Sequence, residues 1–215
     1  SSDVCASDLG AMAEYAARHY GCRVTTTTLS REQYKWAQTR IIQAGLQDRV
    51  EVLLCDYRDL TGQFDKLVSI EMIEAVGKHY LPTFFRTCQA RLRAGGKMAI
   101  QAITIQDQRY SDYSKSVDFI QRYIFPGGFL PSITVMNNLM TRHTDFVVRN
   151  IFDMGPDYAR TLAQWRQRFV HAWQDIEKLG FDERFRRMWL YYFGYCEAGF
   201  NARTISVVQL TAERV

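Results

Sequence analysis

Residues 22–55 read CRVTTTTLSREQYKWAQTRIIQAGLQDRVEVLLC, and the succession of patterns in them decides the fold. Cys22 to Leu29 is rich in Val and Thr, whose β-branched side chains suit a pleated, half-buried strand. Ser30 follows as an N-cap, and Gln33 three residues on completes a capping box. The helix so opened runs to about Ala44, where Gly45 suits the left-handed position that closes it. Val50 to Cys55 is a short apolar run, which predicts a strand buried on both faces. A strand, a helix and a strand in that order make a parallel pair with a right-handed crossover.

The same alternation extends outward. Upstream, Leu9, Met12, Ala13, Ala16, Ala17 and Tyr20 share one helical face, and Gly21 stops the helix. Downstream, Phe64 to Ile70 predicts a strand, and Tyr80 to Leu92 a helix closed by Gly95-Gly96. Lys97 to Ile105 predicts the next strand. The fold class is therefore α/β with a mostly parallel sheet. Such sheets bind ligands beyond the carboxyl ends of their strands, so the loops after Leu29, Cys55, Ile70 and Ile100 are the places to search. The stretch Tyr123-Ile124-Phe125-Pro126-Gly127-Gly128-Phe129-Leu130-Pro131 breaks any helix. It sits in an aromatic-rich segment read as an inserted lid, about residues 107–141, within a single domain spanning 1–215. Thr144 to Phe152 predicts a strand, Thr161 to Leu179 and Glu183 to Phe200 amphipathic helices, and Thr204 to Leu210 a closing strand.

Composition removes several function classes. At 215 residues with 47% hydrophobic and 23% charged side chains, the chain can bury a core and is not disordered. No apolar run approaches the ~18 residues a spanning helix needs. No secretory signal opens the chain, so a cytoplasmic location is the expectation. The net charge of +4 is too small to imply nucleic acid but suits an anionic surface. Five scattered cysteines without a CxxC, and four histidines without ligand spacing, give neither a disulfide framework nor a metal site.

Several blocks, in order, carry a resemblance. They are Cys55 to Leu60 (CDYRDL), Phe64 to Gly77 (FDKLVSIEMIEAVG), Tyr123 to Ser132, Gly155-Pro156-Asp157-Tyr158, and Tyr191 to Phe200. With them the chain resembles the cyclopropane-fatty-acyl-phospholipid synthases, S-adenosylmethionine-dependent enzymes also known as mycolic acid cyclopropane synthase-like, from about Met12 to the C-terminus. The resemblance implies a class I, Rossmann-like methyltransferase sheet of seven strands with one antiparallel member. It implies methyl transfer to a cis double bond of a phospholipid acyl chain, after which a carbocation loses a proton and closes a cyclopropane ring. Expected cofactors are S-adenosyl-L-methionine and bicarbonate. Expected partners are acyl chains at the membrane surface, with peripheral contact at the inner membrane of a bacterium. The family includes homodimers, though no patch in the sequence demands one. Set against the resemblance, the start, SSDVCASDLG, keeps only Gly10 of the glycine-rich turn, and the family's upstream helical segment is expected to be missing or altered. A missing or altered first strand is therefore expected, as in a C-terminal fragment.

Site residues follow by resemblance. Glu74 maps to a ligand of bicarbonate, the proposed base. Gln101 stands where better-known members have histidine, Ile103 offers its backbone, and Tyr158 its phenol. Cys196 matches a cysteine proposed at the active site. Thr28, Leu29, Ser30 and Gln33 would cradle ribose and methionine near Gly10, and Asp56, Tyr57 and Arg58 would flank adenine. The residues also admit structural readings: Ser30 and Gln33 as a capping box, Cys196 as core, and Glu74 as a helix cap. Aromatics from Trp165 to Phe200 offer faces that can stabilise a desolvated cation. Arg160, Arg166, Arg168, Arg184, Arg186 and Arg187 could meet anionic headgroups. Two other functions stay open: methylation of the double bond without ring closure, and an inactive remnant that binds lipid or a partner chain.

Overall fold

The structure, a computed structural model, describes residues 2–6 and 8–215. β1 (Ser2–Ala6) leads through a tight turn to α1 (Ala11–Tyr20), β2 (Arg23–Thr28), α2 (Arg31–Gln43) and β3 (Val50–Leu54). β4 (Phe64–Ile70) follows, then a single helical turn α3 (Ile73–Val76), α4 (Leu81–Arg91) and β5 (Leu92–Ile105). The second half holds α5 (Asp107–Tyr113), a π-helical turn (Ile120–Ile124), α6 (Ile133–His143), β6 (Phe146–Asp153), α7 (Gly155–His171), α8 (Trp173–Lys178), α9 (Glu183–Asn201) and β7 (Ile205–Arg214).

The seven strands form one sheet in the order β3-β2-β1-β4-β5-β7-β6. The first five pair in parallel, and β7 runs antiparallel to both β5 and β6. This is the class I methyltransferase sheet. β1 lies between β2 and β4, so the strand order reverses beside it. The expectation of a missing or altered first strand is corrected to that extent: a strand of five residues holds the central place.

Side-chain alternation along β5 separates two layers of helices. Met98, Ile100 and Ala102 face one side and pack with Phe84, Phe85 and Leu81 of α4 and Met136 and Met140 of α6. Ile103 faces the other and packs with Ala159 and Leu162 of α7 and Phe193 and Phe200 of α9. A third cluster joins Ala13 and Ala17 of α1 to Val24, Ile41 and Val50. The segment between β5 and β6 divides in two. Its second half, α6, is a core helix, with Met136 and Met140 buried. Its first half carries the aromatic and glycine-rich stretch.

Several boundaries differ from the sequence reading: the expected helix Thr161 to Leu179 is two, α7 and α8, and the closing strand runs on to Arg214. β3 is the sheet's edge strand with Glu51 exposed, so it is not buried on both faces. Gly95 and Gly96 lie within β5 instead of closing α4. α7 starts at Gly155, six residues before the expected Thr161, because Pro156 at the helix start pre-sets the backbone angle there.

Candidate active site

The parallel sheet sets out two neighbouring sites at the carboxyl ends of its strands. The first is a cleft of about 400 Å3 lined by Thr28 and Leu29 after β2, Asp56, Tyr57 and Arg58 after β3, and Met72, Ala75 and Tyr80 beyond β4. Asp56 binds the Arg58 guanidinium through both oxygens, at 2.9 and 2.7 Å, and this contact lowers its pKa. Tyr57 packs edge-on against Phe84, with ring centroids 5.8 Å apart. Thr28 Oγ1 donates to Gln33 Oε1 at 2.6 Å, and Ser30 Oγ accepts from the Gln33 N–H at 3.2 Å. Ser30 thus caps α2, while the Gln33 side chain braces Thr28 and does not close the expected capping box, since the Ser30 N–H donates to Thr28 Oγ1; Thr28, Leu29, Asp56, Tyr57 and Arg58 line the cleft.

The second site lies where β4 ends before β5 does. Ile70 is the last β4 residue in register, opposite Gln101, and the Glu71 N–H donates to the Gln101 carbonyl at 2.9 Å. The next β5 amide on that side, Ile103, has no strand to pair with, and Glu74 Oε1 accepts from it at 2.5 Å. Glu74 Oε2 is buried with no hydrogen-bond partner. Burial pushes the Glu74 carboxyl up to about 7, because desolvation penalises the charged form and the nearby Glu71 charge adds to it.

Glu71 was not singled out in the sequence. Its Oε1 accepts from Gln101 Nε2 at 2.9 Å, and its Oε2 accepts from the Tyr158 hydroxyl at 2.8 Å. Gln101 Oε1 in turn accepts from Gln209 Nε2 of β7 at 3.0 Å. Tyr158 sits in the first turn of α7, its ring centroid 5.0 Å from Phe200 and 6.2 Å from Trp165. Burial and the Glu71 carboxylate both raise the Tyr158 pKa, so the phenol stays protonated and donates. Glu74, Gln101, Ile103 and Tyr158 therefore converge, with Glu71 at the centre of the network. A signal existed: Glu71 is a second carboxylate three residues before Glu74, at the end of a strand whose neighbour holds a glutamine in an apolar run.

The set does not fit bicarbonate in the way expected. The Gln101 amide, the Ile103 N–H and the Tyr158 hydroxyl each already serve a carboxylate of the chain.

The family described as mycolic acid cyclopropane synthetase matches residues 5–210. The chain belongs to that family. It is 43% identical over 194 residues to the tuberculostearic acid methyltransferase UfaA1 of Mycobacterium tuberculosis, covering 90% of this chain and 45% of that protein. It is 38% identical over 206 residues to the cyclopropane-fatty-acyl-phospholipid synthase of Escherichia coli, covering 95% of this chain and 51% of that protein. The chain thus spans about half the length of these curated relatives. The crystal structure of mycolic acid cyclopropane synthase CmaA1 complexed with SAH and CTAB superposes with a TM-score of 0.89 at 25% identity, over 99% of this chain and 78% of that one.

Two further residues that the family resemblance nominated are Cys196 and Gly10. Cys196 packs in the α7–α9 cluster, where burial pushes its thiol up to about 12, which leaves no thiolate for chemistry near neutral pH. Gly10 is buried at the turn before α1 with φ +72°, and a Cβ there would come within 3.2 Å of the Ala37 Cβ of α2. Its residue type follows from that close approach and positive φ.

Proposed function

We propose that the chain transfers a one-carbon unit from S-adenosylmethionine to a cis double bond in a lipid acyl chain, and that proton loss then closes a cyclopropane ring. The observation that carries this reading is the half-buried carboxylate network of Glu71 and Glu74, set against aromatic rings at the carboxyl ends of β4 and β5. Methyl addition to an alkene leaves a cationic carbon, which needs a negative charge and a proton acceptor in a dry pocket.

The cleft beside Tyr57 fits a nucleoside-bearing cofactor: it is concave, mostly apolar, and rimmed by Thr28, Asp56 and Arg58. S-adenosylmethionine bound there supplies a methyl group on a sulfonium. Tyr57 offers a ring face and Thr28 a hydroxyl. The rings of Tyr158, Tyr192 and Phe200 exclude water and present electron-rich faces to developing charge, an effect of ~2 kcal/mol when desolvated. Phospholipid at a membrane surface is the proposed substrate, with exposed Arg168, Arg184 and Arg187 facing anionic headgroups.

A second reading is favoured by the 43% identity to a protein named as a methyltransferase. In it, the same carbocation loses a proton without closing a ring. Proton NMR of the extracted lipid separates the readings, since ring methylene and vinyl protons resonate far apart. Calorimetric titration with S-adenosylmethionine tests the shared core of both. Saturable binding weakened by Tyr57→Ala is expected, and absence of any binding would leave only the remnant reading.

A further inference from the structure

At the ends of β4 and β5, every donor that family resemblance directs to bicarbonate is already engaged. Gln101 Nε2 and the Tyr158 hydroxyl donate to the two oxygens of Glu71, at 2.9 and 2.8 Å. The Ile103 N–H donates to Glu74 at 2.5 Å. A free anion would have to displace Glu71 from Gln101 and Tyr158 and would sit against the Glu71 carboxylate, which electrostatics disfavours. We propose that Glu71 itself supplies the carboxylate that a bound anion would supply, and that the chain deprotonates its intermediate without bicarbonate. The proposal rests on the reading of this site as one for one-carbon transfer to a lipid double bond.

The backbone supports it independently. Glu71 has φ +50°, in the left-handed region where an L residue other than glycine is strained. Such strain persists only where surrounding contacts over-determine it, and it gathers at functional sites. Here the backbone bond to Gln101 and the two side-chain bonds fix both the main chain and the carboxylate. Gln101 and Tyr158 are then positioning residues: they hold Glu71 and do not themselves take the proton. Each Glu71 oxygen keeps a lone pair for the substrate.

The step balances without another reagent. After methyl addition, one former alkene carbon is cationic. A C–H bond of the added methyl breaks, and its electron pair forms the new carbon–carbon bond of the ring. The proton passes to Glu71, which later releases it to solvent. In the reading without ring closure the electron pair forms a double bond, and the proton takes the same route.

The test uses the full chain, vesicles of cis-unsaturated phospholipid, S-adenosylmethionine and buffer stripped of carbon dioxide. Wild-type turnover is expected to be equal with and without added bicarbonate, and 13C-bicarbonate is expected to show no binding by NMR. Glu71→Gln is expected to lose about 10²–10⁴-fold in turnover. Glu71→Gly relieves the positive φ and vacates the carboxylate, so it is expected to fold, to be inactive in stripped buffer, and to recover on adding bicarbonate or formate. Bicarbonate-dependent wild-type turnover, saturable bicarbonate binding by the wild type, or full activity of Glu71→Gln would each overturn the proposal. If no lipid is methylated under any condition, the functional reading fails on its own. The 13C titration still decides the inference: binding by Glu71→Gly alone supports it, and binding by the wild type or by neither chain overturns it.

Discussion

Glu74 holds one carboxylate oxygen on the Ile103 N–H and leaves the other buried without a partner. Its pKa near 7 lies above the ordinary 4.5, so the folded chain keeps a proton that the unfolded chain releases across that window. Stability from this group is therefore present below about pH 4.5, falls as pH rises, and is gone above about 7. Glu74→Gln removes the effect. Denaturant titrations should show the variant more stable than wild type by roughly 1–3 kcal/mol at pH 8, with no such gain at pH 4.5. Tyr158→Phe deletes one donor to Glu71 while keeping the ring against Phe200. A hydrogen bond to a charged group contributes ~1.5–3 kcal/mol, so turnover should fall about 10–100-fold with the lipid KM little changed; an unaltered rate would remove Tyr158 from the network. At this scale the sequence disclosed Glu74, Gln101, Ile103 and Tyr158 through motif likeness. Glu71 stayed hidden because a charged residue just past a strand reads as an ordinary solvated end. Its place in the network follows from Gln101 and Tyr158, both distant in sequence, which only tertiary structure brings to it.

Elements were legible where local chemistry sets them. β4 runs from Phe64 to Ile70 as its alternation predicts, and Ser30 caps α2 through the Gln33 N–H. They were less legible where the sheet decides. The apolar run of β3 resembles a buried strand, but its place at the sheet edge exposes Glu51. The first strand was hidden because SDVCA is short and lacks a glycine-rich turn after it, yet pairing with β2 and β4 defines it. The turn that follows rests on Gly10. Gly10→Ala should force a Cβ toward Ala37 at 3.2 Å and strain a φ of +72°, so α1 and α2 must shift apart. A loss of roughly 1–3 kcal/mol is expected from thermal or chemical unfolding; a neutral result would show that the turn yields easily. Ser30→Ala should cost ~1 kcal/mol through the lost cap and loosen Thr28 at the rim of the cleft.

Across the whole molecule, the sheet brings a cofactor-sized cleft and a carboxylate network together at one edge, with α7 and α9 beside them. No helix among the described residues is long and apolar enough to cross a membrane. The proposed function has the chain meet lipid at a membrane surface. Arg160, Arg166 and Arg186 are paired with Asp157, Glu197 and Glu183, which leaves exposed Arg168, Arg184 and Arg187 as the better candidates for headgroups. Replacing all three with Ala should weaken binding to anionic vesicles by ~1 kcal/mol for each residue near the surface, and should not alter binding to neutral vesicles. Equal sedimentation of both proteins with anionic vesicles would place the contact elsewhere. One-carbon transfer is tested most directly by following label from methyl-labelled S-adenosylmethionine into vesicles of cis-unsaturated phospholipid. Label is expected in the acyl chain with wild type and almost none with Glu71→Gln. Wild type that binds the cofactor yet leaves every acyl chain unlabelled would contradict one-carbon transfer.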